Sequence, residues 1–504
     1  MRLTALLLLL GAACTPDVRP PHEEPSSGQG ALLAGVRPTE PSAPPPRFES
    51  SEQVESMVSP GGRFRVHFTR SGPNAVAAAD VDASGIPDAV ELVAVTYDRV
   101  ASFYAGLGYR LPPDDAWVQG GNGGDERFDV YLVDFAGRAD GAFRLDGCLD
   151  ASTRCTGHML QENDFAGYSY RSYDEAVATL ASHEFFHAVQ AAYNPGLGIV
   201  ASEGTAVWAT ERFDPSLGDL EHFSSSYMDR PDRSLVLDPE GPALAFSYGS
   251  SLFFQFLGER FGDRILLSLW EESLVSPAVR WPVMLDTRLR RDHAADFDAA
   301  FAEFARWNVA TGSKAQPGQG YARGAGYAEL SPDAKSLPVD EPSVRVAAAS
   351  TRYFEVAGGA QEVSASFQPA EGEEGAALHL LMVAMSDKAV LRVARVDGPG
   401  TLVAQVSAAD ATRVVVAVVD GRHEGTGRYG RLCIASGSSI QPCGGIEPVP
   451  EEEGCQSAPG GLSWLLLMLV LLPASRLRAR RVEAWLPRQA HCTRKRSEAL
   501  AKLP

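Results

Sequence analysis

The stretch "LASHEFFHAVQAAY", Leu180 to Tyr193, sets two histidines four residues apart with a glutamate directly after the first. On an α-helix, positions i and i+4 share one face, so His183 and His187 can aim at a single point. Neutral imidazoles suit zinc, and two of them plus one carboxylate leave a fourth tetrahedral position open. Glu184 is rotated off that face yet close enough to serve as a base beside the ion, which is the physical content of the HExxH pattern. A helix is expected here, because Ser172 or Asp174 can cap it and Val177, Leu180 and Ala181 carry a buried face toward the motif. The bland alternative is two hydrogen-bonded histidines on an ordinary helix, an accident expected in roughly one per cent of comparable chains.

A third ligand decides between them. Sixteen residues past His187, beyond the turn "NPGLG", comes "ASEGTAVWATERF". Glu203 is expected in the first turn of a second helix, capped by Ser202, where a helix N-terminus favours negative charge. Glu211 lies two turns further along nearly the same face and is expected to orient a zinc histidine from behind, an exposed helix carboxylate being the alternative. An oxyanion needs a donor, and Tyr248 in "AFSYGSSLFF" is the first candidate, with Tyr193 and His158 behind it. A buried structural tyrosine is the competing reading of Tyr248.

HExxH followed by Glu-Gly-x-Ala-x-Trp resembles the gluzincin metallopeptidases. The wider layout, with "DVYLVD" before the motif and "YGSSLFF" after it, is similar to that of secreted bacterial metalloproteases, myxobacterial ones among them. The resemblance covers about Gly62 to Gly312. It implies an α+β fold of zincin type, with a mixed sheet over an active-site helix and a helical half after it. It also implies zinc held by His183, His187 and Glu203, Glu184 as general base, and a protein or peptide substrate cut internally.

A second ion is expected at "DVDASGIPDAVE", Asp80 to Glu91. Asp80, Asp82, Ser84, the Ile86 carbonyl, Asp88 and Glu91 occupy the ligand positions of an EF-hand-like loop, with Gly85 at its turn. Oxygen donors at this spacing favour Ca²⁺. An acidic turn capping the following helix is the plainer alternative.

The 504 residues carry a net charge of −19, which argues against a nucleic-acid partner. From Ala474 to Pro504 there are nine Lys/Arg and two Asp/Glu, so an acidic body ends in a basic tail. The start, "MRLTALLLLLGAAC", reads as a signal peptide over 1–13, with Cys14 placed for lipidation by a lipobox-like pattern that has Gly11 where an aliphatic residue is usual. Near the end, Gly454 and Cys455 precede a short apolar run and arginines. This resembles the MYXO-CTERM sorting signal over 454–481, although the chain runs on as a basic tail over 482–504. Together these imply export, a membrane contact at either end, and a sorting machinery. Cys148 with Cys155 and Cys433 with Cys443 are expected as local disulfides in an oxidising compartment.

Composition divides the rest. Residues 14–58, rich in Pro and Ser, read as a disordered spacer. The peptidase domain is expected over 59–312, a linker over 313–341, an accessory β-sandwich over 342–438 and an acidic linker over 439–453. The reading from another functional class is a non-catalytic surface lipoprotein with structural zinc and an adhesive sandwich.

Overall fold

The computed structural model describes residues 36–118, 121–239, 244–387 and 389–437. The expected signal peptide, Cys14, Cys443, Gly454, Cys455 and the whole sorting segment lie outside the described residues. No helix among the described residues is long and apolar enough to cross a membrane.

The motif helix forms the centre of an α+β arrangement. Five strands, β1 (Val54–Val58), β2 (Phe64–Thr69), β3 (Phe128–Val133), β4 (Gly141–Cys148) and β5 (Cys155–Glu162), lie in the order β1-β2-β3-β5-β4. β2, β3 and β5 run parallel, and β1 and β4 pair antiparallel at the two edges, so the sheet is mixed. Strand alternation sends Phe64, Val66, Phe128, Val130, Phe143 and Met159 to one face. There they share a core with helices α1 (Asp88–Gly106), α2 (Tyr173–Ala191) and α3 (Ile199–Phe213). The Ser172 hydroxyl caps α2 by accepting from the Glu175 amide at 3.1 Å. From Thr179 to Ala191 every residue of α2 is buried. A helix wrapped on all sides is apolar all round except where polar groups have a purpose. Its exceptions include His183, Glu184, His187 and Gln190.

Helices α4 (Asp219–Met228), α5 (Leu244–Gly249), α6 (Ser251–Phe261), α7 (Arg264–Val275), α8 (Trp281–His293) and α9 (Phe297–Trp307) form the second half. Nine strands follow, β6 (Asp333–Lys335), β7 (Val339–Val346), β8 (Ser350–Ala357), β9 (Glu362–Pro369), β10 (Leu378–Met385), β11 (Val390–Asp397), β12 (Leu402–Ser407), β13 (Arg413–Asp420) and β14 (Arg428–Ser436). They form two sheets, in the orders β11-β10-β13-β8-β6 and β12-β9-β14-β7. Leu378, Leu380, Met382 and Ala384 of β10 (Leu378–Met385) point between these sheets. The alternate residues Leu381, Val383 and Met385 join the helical core instead. A strand buried on both faces needs apolar residues at nearly every position, which accounts for the unbroken runs "LHLLMVAM" and "RVVVAVVD". At the rim, His379 is held between Asp298 of α9, at 2.5 Å, and Asp397, at 2.7 Å.

Two expected boundaries are corrected. The spacer does not extend to residue 58. Arg37 is buried among aspartates of the sheet, Phe48 packs against Tyr131, and Val54–Val58 pairs along β2. A few anchoring side chains suffice to order a segment whose average composition is that of a linker. Residues 313–341 are likewise no free linker: Tyr321, Tyr327 and Leu330 are buried in the helical core, and β6 (Asp333–Lys335) already belongs to the sandwich. The Cys148–Cys155 disulfide is formed and ties β4 to β5. Cys433 is disulfide-bonded, its expected partner lying outside the described residues.

Candidate metal centre

His183 and His187 sit on consecutive turns of α2, and Glu203 faces them from α3. His183 Nε2 and His187 Nε2 are 3.2 Å apart, and Glu203 Oε2 lies 3.1 Å from the first and 3.4 Å from the second. Donors about 2.1 Å from a tetrahedrally held zinc stand about 3.4 Å from one another, so the three atoms mark one face of such a polyhedron. The three side chains form a group able to hold a metal ion.

The surroundings fix the ring orientations. His187 Nδ1 lies 2.9 Å from Gln190 Oε1, so the Nδ1–H donates there and Nε2 keeps its lone pair for the centre. Gln190 is itself held, its Nε2 donating to the Ser202 carbonyl at 2.8 Å and to Thr205 Oγ1 at 3.0 Å. On the other side, Asp219 at the start of α4 approaches His183 Nδ1 at 4.0 Å. Burial opposes a charge on His187, but the Glu203 carboxylate overrides it and the pKa rises to about 9. Burial likewise works to raise Glu203, and the two imidazoles hold it well below the usual carboxylate range instead.

Glu184 is fully buried, and its Oε2 accepts the Phe143 amide of β4 at 3.0 Å. That contact ties the candidate base to the edge strand. The Tyr248 ring, on α5, lies 5.7 Å from the His183 ring and stacks on Phe223 at 4.8 Å, so Tyr248 is brought to the centre. Tyr193 and His158 are not. The Tyr193 hydroxyl accepts the Arg110 amide at 2.7 Å, and His158 pairs with Asp146 on the opposite face of the sheet.

Two local expectations fail. Helix α3 begins at Ile199 after Gly198, whose φ of 94° suits only glycine, so Glu203 lies in the second turn. Ser202 is therefore not its cap, and its hydroxyl donates to Gln190 Oε1 at 2.9 Å. Glu211 does not orient a zinc histidine. It pairs with Arg323 at 3.2 Å, and burial with Glu221 close by pushes its pKa up to about 8. The residue that holds the His187 imidazole, Gln190, three residues further along the same helix, carries no signal in the metal-ligand spacing.

Asp80 and Asp82 of the loop before α1 converge with Asp88, the first residue of that helix, as a second group with metal-compatible spacing, and Glu91 is not part of it. Asp80 accepts the amides of Ser84 and Gly85, Asp82 accepts that of Ser84, and Asp88 accepts that of Val81, each at 3.0 Å. Ser84 Oγ donates to the Ile86 carbonyl at 3.3 Å, so two expected ligands bond each other.

No family model and no curated protein matches the chain. Among solved structures, the pre-peptidase C-terminal domain of a collagenase from Bacillus anthracis is similar at 11% identity, covering 21% of this chain and 94% of that one, with a TM-score of 0.16. A GH115 4-O-methyl-α-glucuronidase with specificity for decorated arabinogalactans is similar at 8% identity, covering 53% of this chain and 38% of that one, with a TM-score of 0.15. At such scores neither likeness bears on the metal centre.

Proposed function

We propose that the protein is a zinc metallopeptidase of gluzincin type that hydrolyses peptide bonds in protein or peptide substrates. The observation that carries this reading is the mutual spacing of His183 Nε2, His187 Nε2 and Glu203 Oε2, 3.1 to 3.4 Å, beside the buried Glu184. Two imidazoles and one carboxylate make a zinc donor set that leaves a position for water, and the five-stranded mixed sheet above the helix agrees with a zincin fold. Zinc bound there supplies Lewis acidity toward a scissile carbonyl and acidifies water.

The protein's own groups do the rest. Glu184, steadied by the Phe143 amide, takes the proton from water and returns it to the leaving amine. Tyr248, whose ring lies 5.7 Å from that of His183, is the candidate donor to the developing oxyanion. β4 is an edge strand of its sheet, so an extended peptide can add along it and pass Glu184. Export to the cell surface belongs to the same reading and draws support from the Cys148–Cys155 disulfide, which suits an oxidising compartment.

Burial of all four groups, each at most 4% exposed, favours a second reading in which the zinc is structural. Zinc content and cleavage of unfolded casein by the full chain, with and without 1,10-phenanthroline, separate the two. One equivalent of zinc with chelator-sensitive cleavage supports the peptidase. Zinc without cleavage leaves the structural reading, and absence of zinc overturns both.

A further inference from the structure

Helix α3 presents more than Glu203 to the motif helix. Ser202 and Thr205, three residues apart and so on one face, both reach Gln190 of α2. Gly204, between them, lies against a different neighbour. A Cβ there would meet Ser250 Oγ and stand 2.5 Å from the Phe254 ring, and Ser250 Oγ donates to the Val200 carbonyl at 3.1 Å. Close contact at Gly204 thus seats α3 from one side and sets which residues it turns to α2.

The hydroxyl protons settle which way the Gln190 amide faces. The Thr205 hydroxyl donates to the Ala201 carbonyl at 2.7 Å, so its oxygen is left to accept. The Ser202 carbonyl can only accept. Both face the same Gln190 atom, at 3.0 and 2.8 Å, and that atom must be the amide nitrogen. Oε1 is therefore turned to His187 Nδ1 at 2.9 Å, and it takes the Ser202 hydroxyl proton at 2.9 Å as well. With its proton given away, Ser202 Oγ is a second acceptor 3.2 Å from His187 Nδ1. Facing two acceptors, Nδ1 keeps its proton whatever the charge of the ring. Only Nε2, 3.2 Å from His183 Nε2 and 3.4 Å from Glu203 Oε2, is free to turn a lone pair to the centre.

We propose that Ser202 and Thr205 are positioning residues of the metal centre, which act through the Gln190 amide to commit His187 to ligation by Nε2. The same contacts tie the helix that bears two ligands to the helix that bears the third, so the donor set is assembled before an ion arrives. This rests on the metal-binding part of the functional reading and not on peptide hydrolysis.

Nuclear magnetic resonance of the full chain, zinc-free and labelled with 15N-histidine, tests this without reference to activity. The His187 Nδ1–H should give a downfield resonance protected from solvent exchange, assigned by its absence in His187→Gln. Ser202→Ala combined with Thr205→Val removes both hydroxyls. That pair should broaden or abolish the resonance and weaken zinc binding by about tenfold or more in chelator competition. Ser202→Thr combined with Thr205→Ser keeps both hydroxyls while changing shape, and should behave as the parent does. Should the first pair fail to fold, Ser202→Ala alone, at a half-buried position, carries the same test. Absence of the protected resonance in the parent, an unaltered resonance or unaltered zinc affinity in the first pair, or an equal loss in the conservative pair each overturns the proposal. A parent that shows the resonance and takes up no zinc supports the fixed orientation of His187 and overturns the zinc reading instead.

Discussion

Among the described residues, two groups of side chains have metal-compatible spacing, and they differ in what satisfies them. Asp80, Asp82 and Asp88 lie in a partly exposed loop and the first helical position after it, and each carboxylate already accepts a backbone amide. His183, His187 and Glu203 are buried, drawn from two helices, and face one another rather than the backbone. Polar groups removed from water are costly unless paired. The loop has met that cost locally with backbone amides, whereas the helical triad has turned three donor atoms on one point. Spacing alone is thus a weak sign of an ion site, and spacing combined with burial is a stronger one.

The largest expected effect comes from taking away the carboxylate of the buried group. Glu203→Ala should lose zinc on dialysis and lower peptide cleavage by about a thousandfold or more, the scale seen when one member of a catalytic unit is removed. Retention of full zinc by this variant would mean that the triad does not act as one site. Glu184→Gln should keep the metal and lose activity by about 10² to 10⁴-fold. Loss of zinc together with activity in that variant would make Glu184 a ligand and not a base.

Gln190→Ala probes the next layer. His187 loses the acceptor that sets its tautomer, and zinc affinity should fall by about 10 to 100-fold in a competition assay with a chromophoric chelator. This residue also shows where sequence reasoning stops. Periodicity on α2 and the distance to the next helix were enough to bring His183, His187 and Glu203 together, because helical geometry is local and regular. The Tyr248 ring lies near that of His183 through packing against Phe223, which no spacing announces. Glu211 lies two turns from Glu203 along the helix, as its spacing predicts, but its partner Arg323 comes from a segment more than a hundred residues away. The N-terminal strand was missed for a similar reason: Arg37 is held by Asp115, Asp129 and Asp146, three residues distant in sequence from it and from one another.

Glu211 supplies a pH test. Its folded pKa of about 8 lies above the ordinary 4.5, so between these values the native state holds more protons than the unfolded chain. Stability from this group is therefore present at low pH, falls as pH rises through that window and levels off above it. Glu211→Gln should be more stable than the parent at pH 9 and converge with it near pH 4, as read from urea midpoints. Glu162 and Asp115, both raised to about 7, keep part of the slope in the variant. An unchanged difference between the two proteins across that range would show that Arg323 keeps Glu211 ionised.

The smallest effect should belong to the loop. Stabilisation by a ligand grows only with the ratio of its concentration to its Kd. At Asp80, Asp82 and Asp88 an entering calcium ion must compete with amides that already occupy the carboxylates, and it lacks the Glu91 side chain that would have completed the ring of oxygens. Millimolar calcium is expected to move the melting temperature by no more than about 1 °C, and Asp82→Asn to change stability by less than about 0.5 kcal/mol, as a surface substitution does. A saturable rise of about 5 °C that Asp82→Asn abolishes would reverse the ranking. Amide-satisfied carboxylates would then have to be counted as preorganised for an ion, and burial would cease to separate the two groups.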